Sequence, residues 1–297
     1  TRRPAECRPE GSRPPDGRWP GDPTVSVPAA PPPASLSATS LKYLAERAGI
    51  PYFGGKTLTP EEIAQREADM AEKVLVEDML TEAAKWYNEQ LQKHPDILDH
   101  LQNKNYGFSD GIIDQFKLGF SPASTRFDGT SELADHLNTF PEFKGKILLT
   151  GLFSVGSLSR YYDYFKGRIV FPYWNGGKVV YMLARATRRT PADKYECYLE
   201  KNNLTVRKAE NGNPKYIKFK KLRTHDPNDE KRKYISKFIR NDVFMGEDSV
   251  RGAEEVIIAE GAPDFVSAID HGFAAVSPVT VRFRHEDMEK LERLTQS

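Results

Sequence analysis

Glu260 and Asp264 are the side chains best placed to do chemistry in this chain of 297 residues. In the stretch VIIAEGAPDFVSA, residues 256–268, four apolar residues run into a glutamate and a glycine, and an aspartate follows four positions after the glutamate. The apolar run predicts a short buried strand with Glu260 at its carboxyl end, where open α/β sheets place their ligands. Gly261 permits a sharp turn, and Pro263 suits the first turn of a helix that carries Phe265, Val266 and Ile269 inward. Asp264 then lies in that first turn, near Glu260. Both carboxyls have reference pKa values near 4, so two negative charges share a small space at neutral pH. A hard cation resolves the repulsion, and Mg2+ fits because it takes one or two carboxylates while keeping waters and engaging substrate phosphates. On spacing alone a plainer reading is favoured: Asp264 complements the helix dipole and Glu260 points to water.

The elements around this pair supply cations. GRIVFPYWNGGKVVYMLARAT holds two strand-like runs, Ile169 to Tyr173 and Lys178 to Ala184, joined by Asn175-Gly176-Gly177. Asn-Gly between apolar runs is a strong hairpin signal, because both central turn positions can take positive φ. Arg168 before the first strand and Arg185 after the second then lie at the same open end. Each suits a solvated strand end; together they are candidates to clamp phosphate. From Arg207 to Arg240 there are twelve Lys or Arg against four Asp or Glu, with Tyr216, Phe219, Tyr234 and Phe238 interleaved. Cations with rings between them suit a polyanion that releases counterions and stacks its bases. They also suit a solubilising loop whose rings turn into the core.

The rest of the chain sets bounds. Ten of the 21 prolines fall between Pro4 and Pro33, which predicts a disordered arm over 1–36. SLKYLAERAGI reads as a short helix capped by Ser40 and stopped at Gly49, within a segment 37–58. Thr59-Pro60-Glu61-Glu62 opens a long helix through Met70, Val74, Met79, Ala83 and Trp86. FSDGIIDQFKLGFSP reads as a helix capped by Ser109 or Asp110, running into a strand near Leu118 to Phe120. Two cysteines, Cys7 and Cys197, support neither a disulfide framework nor a zinc site, so a reducing, cytoplasmic setting is expected. No apolar run approaches a membrane span. The predicted class is mixed α/β: a helical N-terminal region, a central hairpin-containing mixed sheet with a basic face over 59–252, and a smaller α/β unit over 253–297.

Glu260-Gly261 followed by Asp264 at a strand end resembles the first acidic motif of the TOPRIM fold, found in bacterial-type (DnaG-type) primases, topoisomerases and certain nucleases. Similarity to the primases extends much further. GFSDGIIDQFKLGFSP is similar to their helix before a Gly-Phe-small-Pro turn. YFKGRIVFPYWNGGKVVYMLARAT resembles their Arg-apolar-Phe-Pro strand, turn and second strand ending in Arg. NPKYIKF resembles the Pro-Lys-Tyr motif, and SLKYLAERAGI the helix closing the zinc-binding module. These matches keep the family's order over most of residues 37–297.

The resemblance implies a DNA primase: metal-dependent synthesis of short RNA primers on single-stranded DNA during replication, from nucleoside triphosphates, with Mg2+ or Mn2+ and a replicative helicase as a possible partner. It makes Glu260 and Asp264 the catalytic and metal-binding acids. It places Arg168, Arg185 and Lys215 along the groove for template or incoming nucleotide, with Lys233 in KYISKFIRNDVF as a rival to Lys215. Residues 1–40 contain only Cys7 and no histidine, so the family's zinc site is not expected here. The family's Asp-x-Asp pair has no candidate among the 37 residues after Glu260. The resemblance therefore implies a partial TOPRIM unit in a fragment that binds DNA and polymerises poorly or not at all. A TOPRIM nuclease and a non-catalytic single-strand-binding remnant are the alternatives.

Overall fold

The computed structural model describes Arg47 and residues 59–104, 106–191, 218–279 and 283–296. The chain divides into two compact units, Thr1–Leu58 and Thr59–Ser297. Within the first, Arg47 is helical and exposed; the arm over 1–36 and the rest of the expected short helix lie outside the described residues. All elements below belong to the second unit. Among the described residues no helix is long and apolar enough to cross a membrane.

Helix α1, Pro60–Gln92, starts where the sequence predicts. Thr59 Oγ1 accepts from Glu62 N at 3.2 Å while Glu62 Oε2 accepts from Thr59 N at 2.9 Å, so two of the four otherwise unpaired N-terminal donors are satisfied reciprocally. Val76, Met79, Leu80, Ala83, Tyr87 and Leu91 recur at helical spacing and are buried, whereas Val74 is exposed. Short helices α2, Pro95–Asp99, and α3, Asp110–Gln115, follow. Ser109 caps α3, its hydroxyl accepting from Ile112 N. Strand β1, Gly119–Ser121, comes next, then α4, Glu132–Asn138, and the paired strands β2, Phe153–Val155, and β3, Tyr161–Asp163.

The central sheet is antiparallel, ordered β1-β4-β5-β6, with β4 at Arg168–Asn175, β5 at Lys178–Ala186 and β6 at Phe219–Lys221. The hairpin turn centres on Gly176 and Gly177, with φ of +58° and +77°, while Asn175 pairs with Lys178 inside the ladder. Both central positions are therefore left-handed, as a two-residue hairpin turn requires. Beyond the turn a bulge interrupts the register between Tyr173 and Trp174. There, Val179 N–H donates instead to Thr81 Oγ1 of α1 at 2.9 Å. Helix α1 covers the face carrying Gly119, Ser121, Arg168 and Val170. At Gly119 a Cβ would stand 2.5 Å from Tyr87 Cβ and 2.7 Å from its carbonyl carbon.

A three-stranded sheet, ordered β7-β9-β8, follows: β7 at Phe244–Met245, β8 at Ile257–Ile258 and β9 at Ala275–Pro278. Helix α5, Ala262–Asp270, joins β8 to the parallel β9, and α6, His285–Thr295, packs nearby. The boundary expected at 252 falls after β7, yet β7 pairs with β9 across it. One expectation is overturned. Strand β8 is not buried: Ile257 and Ile258 are 44% and 45% exposed, because β8 lies at the sheet edge and β9 takes the central position.

Two measurements test this packing. Gly119→Ala forces α1 and β1 apart at backbone atoms and is expected to destabilise the fold by about 2–3 kcal/mol in urea unfolding. Burial raises Asp163, 7% exposed, to about 6, against the lowering effect of the Ser131 hydroxyl bonded to it. In an unfolded chain the group titrates near 3.8, so between 3.8 and about 6 the folded form holds the extra proton and stability falls as pH rises. Asp163→Asn, which keeps an acceptor for Ser131, is expected to remove about 3 kcal/mol of that decline between pH 4 and pH 7.

Candidate functional site

A cleft of about 470 Å3 opens between the central sheet and the start of α5. Its described lining includes Glu260, Gly261 and Asp264 from the acidic turn, Arg185 from β5, Lys218 and Phe219 around β6, and Tyr106. Glu260 and Asp264 are both solvent-exposed at the mouth of one cleft. Glu260 ends the turn after β8, and Asp264 is the third residue of α5, after Gly261 at its N-cap. Gly261 has ordinary extended backbone; a Cβ there would stand 3.2 Å from Asp264 Oδ2, so glycine makes room for the carboxylate to fold back.

The helix bearing Asp264 is held by contacts from far along the chain. Ser109 donates from its backbone N–H, at 2.8 Å, and from its hydroxyl to the carboxylate of Asp270 at the end of α5. Phe116 meets Phe265 edge to face at 5.3 Å, and Trp174 Nε1 donates to Phe116 O at 2.8 Å. At the other end of the hairpin, buried Glu247 gathers three elements. It accepts from Asn175 Nδ2 at 2.8 Å and from Phe244 N at 2.9 Å, and it pairs with Lys290 of α6. Gly176 N–H also donates to Asp248 at 2.8 Å. The hairpin is thus tied to the second sheet at its tip, while its open end forms one wall of the cleft.

Strand alternation decides which arginine reaches that wall. Arg185 lies directly opposite Ile169, and Arg168 opposite Ala186. The two arginines are one register position out of step and face opposite sides of the sheet. Arg168 is 2% exposed, on the face covered by α1. The expected clamp of two arginines therefore does not form; Arg185 alone lines the cleft. Its guanidinium carbon lies 4.9 Å from the Tyr106 ring centroid and 5.3 Å from that of Phe219, and it has no ion-pair partner among the described residues.

Lys215 lies outside the described residues. Lys233 does not line the cleft and pairs with Glu230 at 2.6 Å. Much of the basic segment is already engaged with acids: Arg232 with Asp226 and Asp229, Lys237 with Asp69, Arg240 with Asp242. Arg223 donates to the carbonyls of Gly151 and Phe153. The rings are less free than a row of base-stacking platforms requires, since Phe219 and Tyr234 pack against the core. Lys218 and Tyr106 are cleft residues that the sequence reading does not single out. The signal for Tyr106 was its place beside Gly107, whose φ of +71° turns the chain before α3.

Two carboxylates at a helix start can supply part of a Mg2+ shell, with water and ligand phosphates completing it. Among the described residues no group of three or more His, Cys, Asp or Glu could hold a metal ion. The residues present thus fit a cation that arrives with its phosphates, rather than an ion caged by protein.

The fold is mixed α/β, with the cleft at the junction of its four-stranded and three-stranded sheets. Residues 86–228 match the family described as DNA primase catalytic core, N-terminal domain. Solved structures share the fold. The DnaG primase catalytic domain bound to ssDNA is 16% identical, with a TM-score of 0.54 over 75% of this chain and 59% of that one. A DNA primase domain from Pseudomonas aeruginosa is 20% identical, with a TM-score of 0.52 over 74% and 58%. The Aquifex aeolicus primase, comprising zinc-binding and RNA polymerase domains, is 18% identical, with a TM-score of 0.53 over 86% and 55%. The chain spans 58% of the length of the DnaG catalytic core it resembles. No curated protein matches it in sequence.

Glu247→Ala tests whether the hairpin tip sets the cleft. It leaves Lys290 and Asn175 without their shared acceptor and is expected to cost about 3 kcal/mol in thermal or urea unfolding, with a shift in Trp174 fluorescence.

Proposed function

We propose that this chain is the catalytic-core portion of a DNA primase whose cleft binds nucleoside triphosphate with a divalent cation. The observation that carries the reading is the meeting of Glu260 and Asp264 with Arg185 and Lys218 in one cleft, on a primase-core fold. Glu260 and Asp264 would hold Mg2+ or Mn2+. When bound, the ion supplies charge neutralisation on phosphate oxygens. Arg185 presents its N–H edge to a phosphate, and a guanidinium suits that task because it contacts two oxygens at once. Lys218 adds an exposed positive charge at the rim.

Single-stranded DNA is the proposed template. A related catalytic domain is bound to ssDNA, and a Mycobacterium tuberculosis primase domain is in complex with double-stranded DNA. In this chain Lys218, Lys221 and Lys231 stay exposed along the basic segment and would attract a phosphate backbone. Nucleoside triphosphates as substrates, and a helicase as partner, follow from the resemblance.

Titration of the chain with GTP, with and without Mg2+, tests the reading separately from turnover. Glu260→Gln and Asp264→Asn are each expected to weaken the Mg2+-dependent binding about tenfold or more, and to leave unfolding unchanged because both side chains are exposed. Equal GTP affinity in all three proteins would remove the acids from the site. Primer synthesis on single-stranded DNA, measured alongside, reads turnover directly.

A further inference from the structure

Arg185 is unusual among the cations of this chain. Most described arginines are engaged with carboxylates or carbonyls, as Arg223, Arg232, Arg240 and Arg284 are. Arg185 instead lies against two rings, Tyr106 at 4.9 Å and Phe219 at 5.3 Å, with no acid or carbonyl partner among the described residues. The rings reach it by different routes. Phe219 lies directly opposite it in the β5–β6 ladder, so strand pairing delivers that contact. Tyr106 comes from the turn before α3, seventy-nine positions earlier, and is braced by stacking on Phe108 at 5.0 Å and 23°. Burial of the Tyr106 hydroxyl raises its pKa, and the hydroxyl has no hydrogen-bond partner among the described residues. A buried hydroxyl without a partner is a cost to the fold, so Tyr106 contributes here through its ring.

A long arginine side chain left alone in a cleft samples many rotamers, and ordering it on a ligand costs affinity. Two rings against the guanidinium hold its plane by cation–π attraction while leaving the N–H edge open. We propose that Tyr106 is a positioning residue: with Phe219 it forms an aromatic bracket that pre-orients Arg185 for the polyphosphate of the ligand. This inference rests on the nucleotide-binding reading of the cleft and adds a residue to it that acts through another.

The test uses the full chain, inorganic tripolyphosphate with Mg2+ as the probe, and calorimetric dissociation constants. Tyr106→Phe keeps the ring and is expected to bind within twofold of the wild type and to unfold at no lower temperature. Tyr106→Leu is expected to weaken binding about 5- to 10-fold. Placed on Arg185→Gln, Tyr106→Leu is expected to add no further loss. The proposal is overturned if Tyr106→Leu binds as wild type does, if Tyr106→Phe is as weak as Tyr106→Leu, or if the loss persists undiminished on Arg185→Gln. The Arg185 side-chain N–H resonance provides a ligand-free reading of the bracket. Its ring-current shift should survive Tyr106→Phe and collapse in Tyr106→Leu; no change in Tyr106→Leu also overturns the bracket. Wild-type protein that takes up neither GTP nor tripolyphosphate would overturn the nucleotide reading itself, while the resonance still reports on the bracket.

Discussion

The period of two along the β4–β5 ladder is the constraint from which the site follows. Every side chain of a strand is committed to one face once a single pair is set, so Ile169 opposite Arg185 places Arg185 on the cleft side and consigns Arg168 to the side under α1. Phe219 joins Arg185 by the same rule across the next pair of strands. A slip of one residue would bury Arg185 and expose Arg168. Contacts at the closed end of the hairpin hold the register: the Gly176-Gly177 turn sets it, and Glu247 and Asp248 fasten that turn to the second sheet.

The acidic turn depends on a different kind of contact. Strand β8 is two residues long and pairs on one side, so it cannot by itself fix Glu260. Helix α5 supplies the missing rigidity. Its apolar face packs through Phe265 and Val266, and its far end is hooked to Ser109, which caps α3 at the same time. One serine hydroxyl thereby couples the acids to the turn that carries Tyr106. The cleft is a junction in which each wall is positioned by a segment distant in sequence.

Features governed by near neighbours were legible in the residues alone. The helix start at Pro60, a cap at Ser109 or Asp110, the hairpin with its glycine turn, and the strand-to-helix passage around Gly261 each follow from interactions within a few positions. The pairing of Arg168 with Arg185 was misread because both stand at the same end of the hairpin, while facing depends on whether the register is odd or even. The exposure of Ile257 and Ile258 was misread because an apolar run indicates affinity for a core, not the position of a strand within its sheet. Tyr106 gave little signal, since a single aromatic beside a glycine has many uses.

By itself the amino-acid sequence determined the local elements, the acid pair four residues apart, the cationic surplus and the order of motifs shared with primases. These depend on residue type and short spacing, which a linear chain states directly. Only the tertiary structure decided which cations share a cleft with the acids, which arginine is buried, and that two rings far apart in sequence lie against Arg185. Those outcomes depend on strand register and on packing between segments up to about 160 residues apart, where burial of apolar surface, rather than local preference, selects the arrangement.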